Sequence, residues 1–209
     1  LNFPGYLGGG DKIYGSDELV YTYHRAFYPN PDAPLLRLPT IDVSSTQHGA
    51  LEPSQRTQIA YYHHRYSAAG GKVRDFGPDA LEITHSTPAT HAETLGLLKK
   101  ARLLYTYEMS ALVSEALLCG CAVVLLPNPL TLNLAEKKIL FEIDDLQGVS
   151  WGDDPQDIER ALATVHLGRA KVLGLFDGWL DQLQTFIERT QTAASALPFE
   201  RAWPQATID

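Results

Sequence analysis

Residues 105–127 read Tyr105-Thr-Tyr-Glu-Met-Ser-Ala-Leu-Val-Ser-Glu-Ala-Leu-Leu-Cys-Gly-Cys-Ala-Val-Val-Leu-Leu-Pro127, and they decide the fold. The run Leu103 to Tyr107 (LLYTY) reads as a strand. Ser110 stands where a helix over Ala111 to Cys119 needs its N-cap, and Gly120 stands where that helix should end. Ala122 to Pro127 (AVVLLP) is almost purely apolar, as a parallel strand covered on both faces must be. A strand, a helix and a second strand in so short a stretch predict a βαβ unit with a right-handed crossover.

Outward from this unit the same alternation continues. Upstream, Ile59 to His63 (IAYYH) reads as a strand, Gly70-Gly71-Lys72 as a glycine turn, and Ala80 to His85 (ALEITH) as another strand. Thr90 with Glu93 three residues later is a capping box. The helix it opens is read with Leu95, Leu98 and Ala101 on one face. Downstream, Val149 to Trp151 is a short fifth strand, and Asp154-Pro155 starts a helix that runs, with a break near Gly168, to about Thr190. Nearer the start, Leu19 to His24 and Leu35 to Ile41 read as strands, and residues 42–56 as loop. Strands alternating with helices predict an α/β, Rossmann-like three-layer domain with a parallel sheet. Its expected bounds are residues 17–192, after an irregular Gly-rich segment over 1–16 and before a surface tail over 193–209.

Composition narrows the function classes. The chain of 209 residues carries 17 Lys plus Arg against 25 Asp plus Glu, a net charge of −8. That balance argues against nucleic acid as a general partner, since phosphate backbones need clustered cations. Cys119 and Cys121 are the only cysteines, and two thiols so close cannot supply a disulfide framework or a four-ligand zinc site, so they point to a reducing cytosol. Gly120 breaks the longest apolar run, which falls short of the roughly 20 residues of a membrane span. No segment has the pattern of a secretory signal, and the start at Leu1 suggests a piece of something longer.

In a doubly wound sheet, ligands sit beyond the carboxyl ends of the strands, at helix N-termini. Ser114 apart, Glu115 is the one polar residue of its predicted helix, and a buried carboxylate is costly unless something satisfies it. It can accept hydrogen bonds from a vicinal diol such as ribose while the amides of Ala111 and Leu112 face a phosphate. The alternative is an acid in a salt bridge or at a wet edge. Glu108, at a strand end, is either a ligand-facing acid or an exposed loop acid. Lys72 after two glycines can supply a point charge to a diphosphate, although no P-loop is present and most such triplets are turns. His85, at another strand end, either bonds phosphate or sugar hydroxyls or is structural. His24, His63 and His64 form no metal-ligand spacing, and neither a GxSxG elbow nor a GxGxxG fingerprint occurs.

The segment Glu108 to Gly120, followed by Val123-Val-Leu-Leu-Pro127, resembles the nucleotide-sugar-binding half of GT-B glycosyltransferases. The shared pattern is a glutamate, a small-residue turn, a helix with a second glutamate before Ala, and then Cys-Gly-x-x-Val-Val. Here these are Glu108, Ser110-Ala-Leu112, Glu115-Ala116 and Cys119-Gly-Cys-Ala-Val-Val124. The opening Asn2-Phe-Pro-Gly-Tyr-Leu-Gly-Gly9 and Gly71-Lys72 are similar to bacterial members that build cell-surface polysaccharide. One residue fewer separates the two glutamates than is usual there, and Ala122 replaces the usual proline.

The resemblance implies that Glu115 binds ribose and that Ser110, Ala111 and Leu112, aided by Lys72, hold the diphosphate. It places Glu108 near the donor sugar, and Tyr107 and His85 complete the candidate nucleotide-sugar-binding residues. It implies a metal-independent transferase with no cofactor beyond its nucleotide-diphosphate-sugar donor. Its acceptor would be a polysaccharide or a lipid-linked sugar, bound by an amino-terminal domain outside this chain, with any membrane contact peripheral and made through the full-length enzyme. A sugar-nucleotide epimerase of the same architecture, or a non-catalytic nucleotide-binding regulatory domain, would read similarly.

Overall fold

The computed structural model describes residues 19–23, 33–39, 42–47, 49–129, 131 and 146–196. Five parallel strands form one sheet: β1 (Gln58–Tyr62), β2 (Leu81–Glu82), β3 (Ala101–Thr106), β4 (Ala122–Leu125) and β5 (Val149–Trp151), in the order β2-β1-β3-β4-β5. The helices are α1 (Val43–Gln47), α2 (His64–Ala68), α3 (His91–Leu98), α4 (Ala111–Leu118), α5 (Pro155–Gly174) and α6 (Trp179–Ala196). The fold is α/β and Rossmann-like, with helices around an all-parallel sheet.

Strand alternation sorts the core into two layers. On one face Ile59, Tyr61, Leu103, Tyr105, Ala122 and Val124 meet Tyr66 of α2, Phe76 of the following loop, and Ile158, Ala161 and Leu162 of α5. The intervening residues Ala60, Leu104 and Val123 pair across the sheet and are fully buried. Their layer continues into α3 and α4, which pack on each other and bury Leu95, Leu98, Val113 and Leu117. Each such leucine contributes about 1.5–3 kcal/mol by leaving water.

Local chemistry sets most of the boundaries. Thr90 and Glu93 form the expected reciprocal capping box at the start of α3. Gly120 takes φ +74° and ends the α4 turn, where the buried guanidinium of Arg56 donates to the carbonyls of Cys119 (2.9 Å) and Leu51 (2.9 Å). Asp154 caps α5 by accepting from the amides of Gln156 and Asp157, with Pro155 in the first turn.

Several expectations need correction. Ala101 opens β3 instead of extending the helical face of α3, which stops at Leu98. The strand read over 80–85 shrinks to Leu81–Glu82, because Thr84 folds back: its N–H and the amides of Ser86 and Thr87 bond within the 84–87 turn. Gly168 does not break α5. It is buried against the Gln147 carbonyl, and the helix runs on to Gly174 before α6 begins at Trp179. Residues 42–56 hold α1 and a 3₁₀ turn over Pro53–Gln55. Among the described residues of the two early strands there is one parallel bridge, Thr22 to Leu35. His24, Ile41, the segment 1–16 and the tail from 197 lie outside the described residues.

The chain divides into two compact units, 40–175 and a second made of 1–39 with 176–209. The first holds the sheet. In the second, Tyr21 meets Phe186 of α6 edge-on at 5.0 Å, and the Arg37 amide donates to Gln182 (2.8 Å). No helix among the described residues is long and apolar enough to cross a membrane.

Candidate functional site

Strand order reverses at β1: the chain moves outward to β2, then returns to place β3 on the other side of β1. The crevice beyond the carboxyl ends of β1 and β3 is therefore the topological switch point. Two helices start there, α2 after β1 and α4 after β3.

Glu108 fills the α2 side of this crevice. It follows β3 in a turn fixed by Thr106, whose hydroxyl accepts from the Glu108 amide (3.1 Å) and donates to the Glu108 carbonyl (3.0 Å). Its carboxylate accepts from the amides of Arg65 and Tyr66 and from Arg65 Nε (2.6 Å), and the residue is 2% exposed. An anion supplied by the chain itself thus occupies the first-turn amides of α2. Burial, and next the Glu108 charge, raise the pKa of the neighbouring Tyr62 phenol. Tyr107 turns into the core, with its ring stacked on Tyr66 (4.4 Å) and its hydroxyl accepting from the Arg74 amide (3.1 Å).

The α4 side is less occupied. Ser110 is the N-cap in extended conformation, yet its hydroxyl makes no capping bond and is buried without a partner among the described residues. The amides of Ala111 and Leu112 open the helix and have no intrahelical acceptor. Little more than one turn on, the Glu115 side chain is 12% exposed and meets Nε2 of His91 at 3.2 Å. His91 is the first residue of α3 and its side chain is 56% exposed, so the start of α3 and Glu115 share one patch.

The structure thus brings Ser110, Ala111, Leu112 and Glu115 together on α4 and places Glu108 and Tyr107 at the adjoining strand end. It sets His85 apart, exposed beyond β2 with its ring edge-on to His64 at 4.0 Å. Lys72 is exposed on the connection from α2 to β2 and makes no ion pair among the described residues. Among the described residues no group of three or more His, Cys, Asp or Glu could hold a metal ion.

Arg65 escaped the sequence reading. Its signal was its place in the His63-His64-Arg65 run directly after a strand, where a charge opposite a strand-end acid at β3 is expected. Comparison with family models, curated proteins and solved structures finds no match for this chain.

Proposed function

We propose that the chain is the donor-binding domain of a GT-B type glycosyltransferase and takes a nucleoside diphosphate sugar at the start of α4. The observation that carries this reading is the buried hydroxyl of Ser110, unpartnered among the described residues, beside two amides with no intrahelical acceptor and the enclosed carboxylate of Glu115. Ribose hydroxyls donate to Glu115, and the diphosphate accepts from the Ala111 and Leu112 amides and the Ser110 hydroxyl. Those donors, with Lys72 as the cation, stabilise the departing diphosphate without a metal. Glu108 is committed to α2 and Tyr107 to the core, so their part in this reading is to hold the turn that presents Ser110. The acceptor, a polysaccharide or lipid-linked sugar, is taken by a second domain outside these 209 residues, on the cytoplasmic side of a membrane.

Calorimetric titration of the chain with UDP, GDP, dTDP and their glucose conjugates tests this. The expected result is saturable binding of at least one nucleotide, weakened about tenfold or more in Glu115→Ala with circular dichroism unchanged. Absence of binding by all of them, or the same affinity in the variant, overturns the reading.

A further inference from the structure

A second constellation lies beyond β1 and β2, away from α4. His63, at the end of β1, bonds in two directions: Nδ1 lies 2.7 Å from Ser67 Oγ, and Nε2 lies 3.0 Å from Glu82 Oε1. The carboxylate can only accept, so in the neutral imidazole Nε2 carries the proton and Nδ1 must accept. The Ser67 hydroxyl is therefore the donor of the first bond. The imidazole is held in place: its ring stacks on Tyr61 (5.8 Å, 15° between planes), and the Tyr61 hydroxyl donates to the other Glu82 oxygen (3.4 Å). A pocket of about 80 Å³ lies over the group, lined by His63, His64, Ser67, Glu82, Ile83 and Thr84.

We propose that Ser67, His63 and Glu82 form a nucleophile, base and orienting acid that cleave small acyl esters. The order of contacts is that of a serine hydrolase, with the two ring nitrogens exchanged. Ser67 Oγ attacks the ester carbonyl carbon, forming the acyl C–O bond as its proton passes to His63 Nδ1. The bond to the alcohol breaks, and the alcohol leaves with that proton. Water then attacks the acyl-serine, returning a proton through His63 to Ser67 and releasing the acid. Glu82 holds the Nε2 proton throughout and steadies the imidazolium.

The test is labelling of the intact chain by diisopropyl fluorophosphate, in which Ser67 Oγ bonds to phosphorus and fluoride leaves, read by peptide mass spectrometry alongside p-nitrophenyl acetate turnover. The adduct is expected on Ser67. It should vanish in Ser67→Ala, slow about 100-fold or more in His63→Gln and slow about tenfold in Glu82→Gln, with Ser54→Ala as an unaffected control. Glu82 has a half-exposed side chain, so its variant keeps the test open if His63→Gln does not fold. No Ser67 adduct in the wild type, or equal rates in the wild type and Glu82→Gln, overturns the proposal. Neither outcome bears on nucleotide binding at α4.

Discussion

The Glu108 carboxylate and the Arg65 main-chain amide, 43 residues apart, meet at the point where strand order reverses, and Arg65 Nε closes a second bond at 2.6 Å. Arg65 also reaches the Met109 carbonyl at 2.5 Å, tying the α2 start to the turn that leads into α4. One acid thus replaces the external anion that two first-turn amides would otherwise attract.

Removing that acid leaves the amides of Arg65 and Tyr66 without an acceptor. Glu108→Ala should cost about 2 kcal/mol and Glu108→Gln about 1 kcal/mol in urea denaturation, less than a fully buried pair because Arg65 is 48% exposed. An unchanged midpoint for Glu108→Ala would show that the contact contributes nothing.

Asp157 gives the fold an acid-sensitive element. Burial pushes its carboxyl pKa up, but bonds from Arg160, the Trp151 amide and Ser150 outweigh that and hold it below the usual carboxylate range. The unfolded chain therefore takes the proton more readily. The stabilisation is complete above an unfolded pKa of about 3.9 and declines as pH falls through the lower folded value. Asp157→Asn should cost about 1–2 kcal/mol at neutral pH and flatten the loss of stability below about pH 4, measured by denaturation at several pH values.

Gly168→Ala tests the crossing of α5 over the 146–148 turn. Alanine favours a helix over glycine by about 1 kcal/mol. At this position, however, a Cβ would sit 2.3 Å from the Gln147 carbonyl oxygen, so backbone must move. A net loss of about 1–3 kcal/mol is expected, with a lower melting temperature.

Both cysteines should be silent in the native protein. Burial pushes the Cys119 thiol up to about 11 and the Cys121 thiol higher still, so neither supplies thiolate near neutrality. Iodoacetamide at pH 8 should modify neither until denaturant is added, and then both, by intact mass. Rapid native labelling of either would contradict their burial.

The layer plan was written locally. Apolar strands such as Ala122–Leu125 and the Thr90–Glu93 box declare themselves through side-chain pattern and short-range hydrogen bonds, which need no distant partner. The misread places are those where a distant partner decides. Gly168 looks like a breaker until the Gln147 carbonyl is seen beside it, and the strand over 80–85 looks long until the Thr84 hydroxyl captures the chain.

The candidate sites divide in the same way. Sequence alone marked the start of α4 and its enclosed acid, because a helix cap and a lone carboxylate among apolar residues are read within one turn. It did not show that His91 faces Glu115, that Arg65 holds Glu108, or that His63 after β1 joins Ser67 of α2 to Glu82 of β2. Such pairings depend on strand order and register, which are set by packing the whole sheet, and no single segment contains that information.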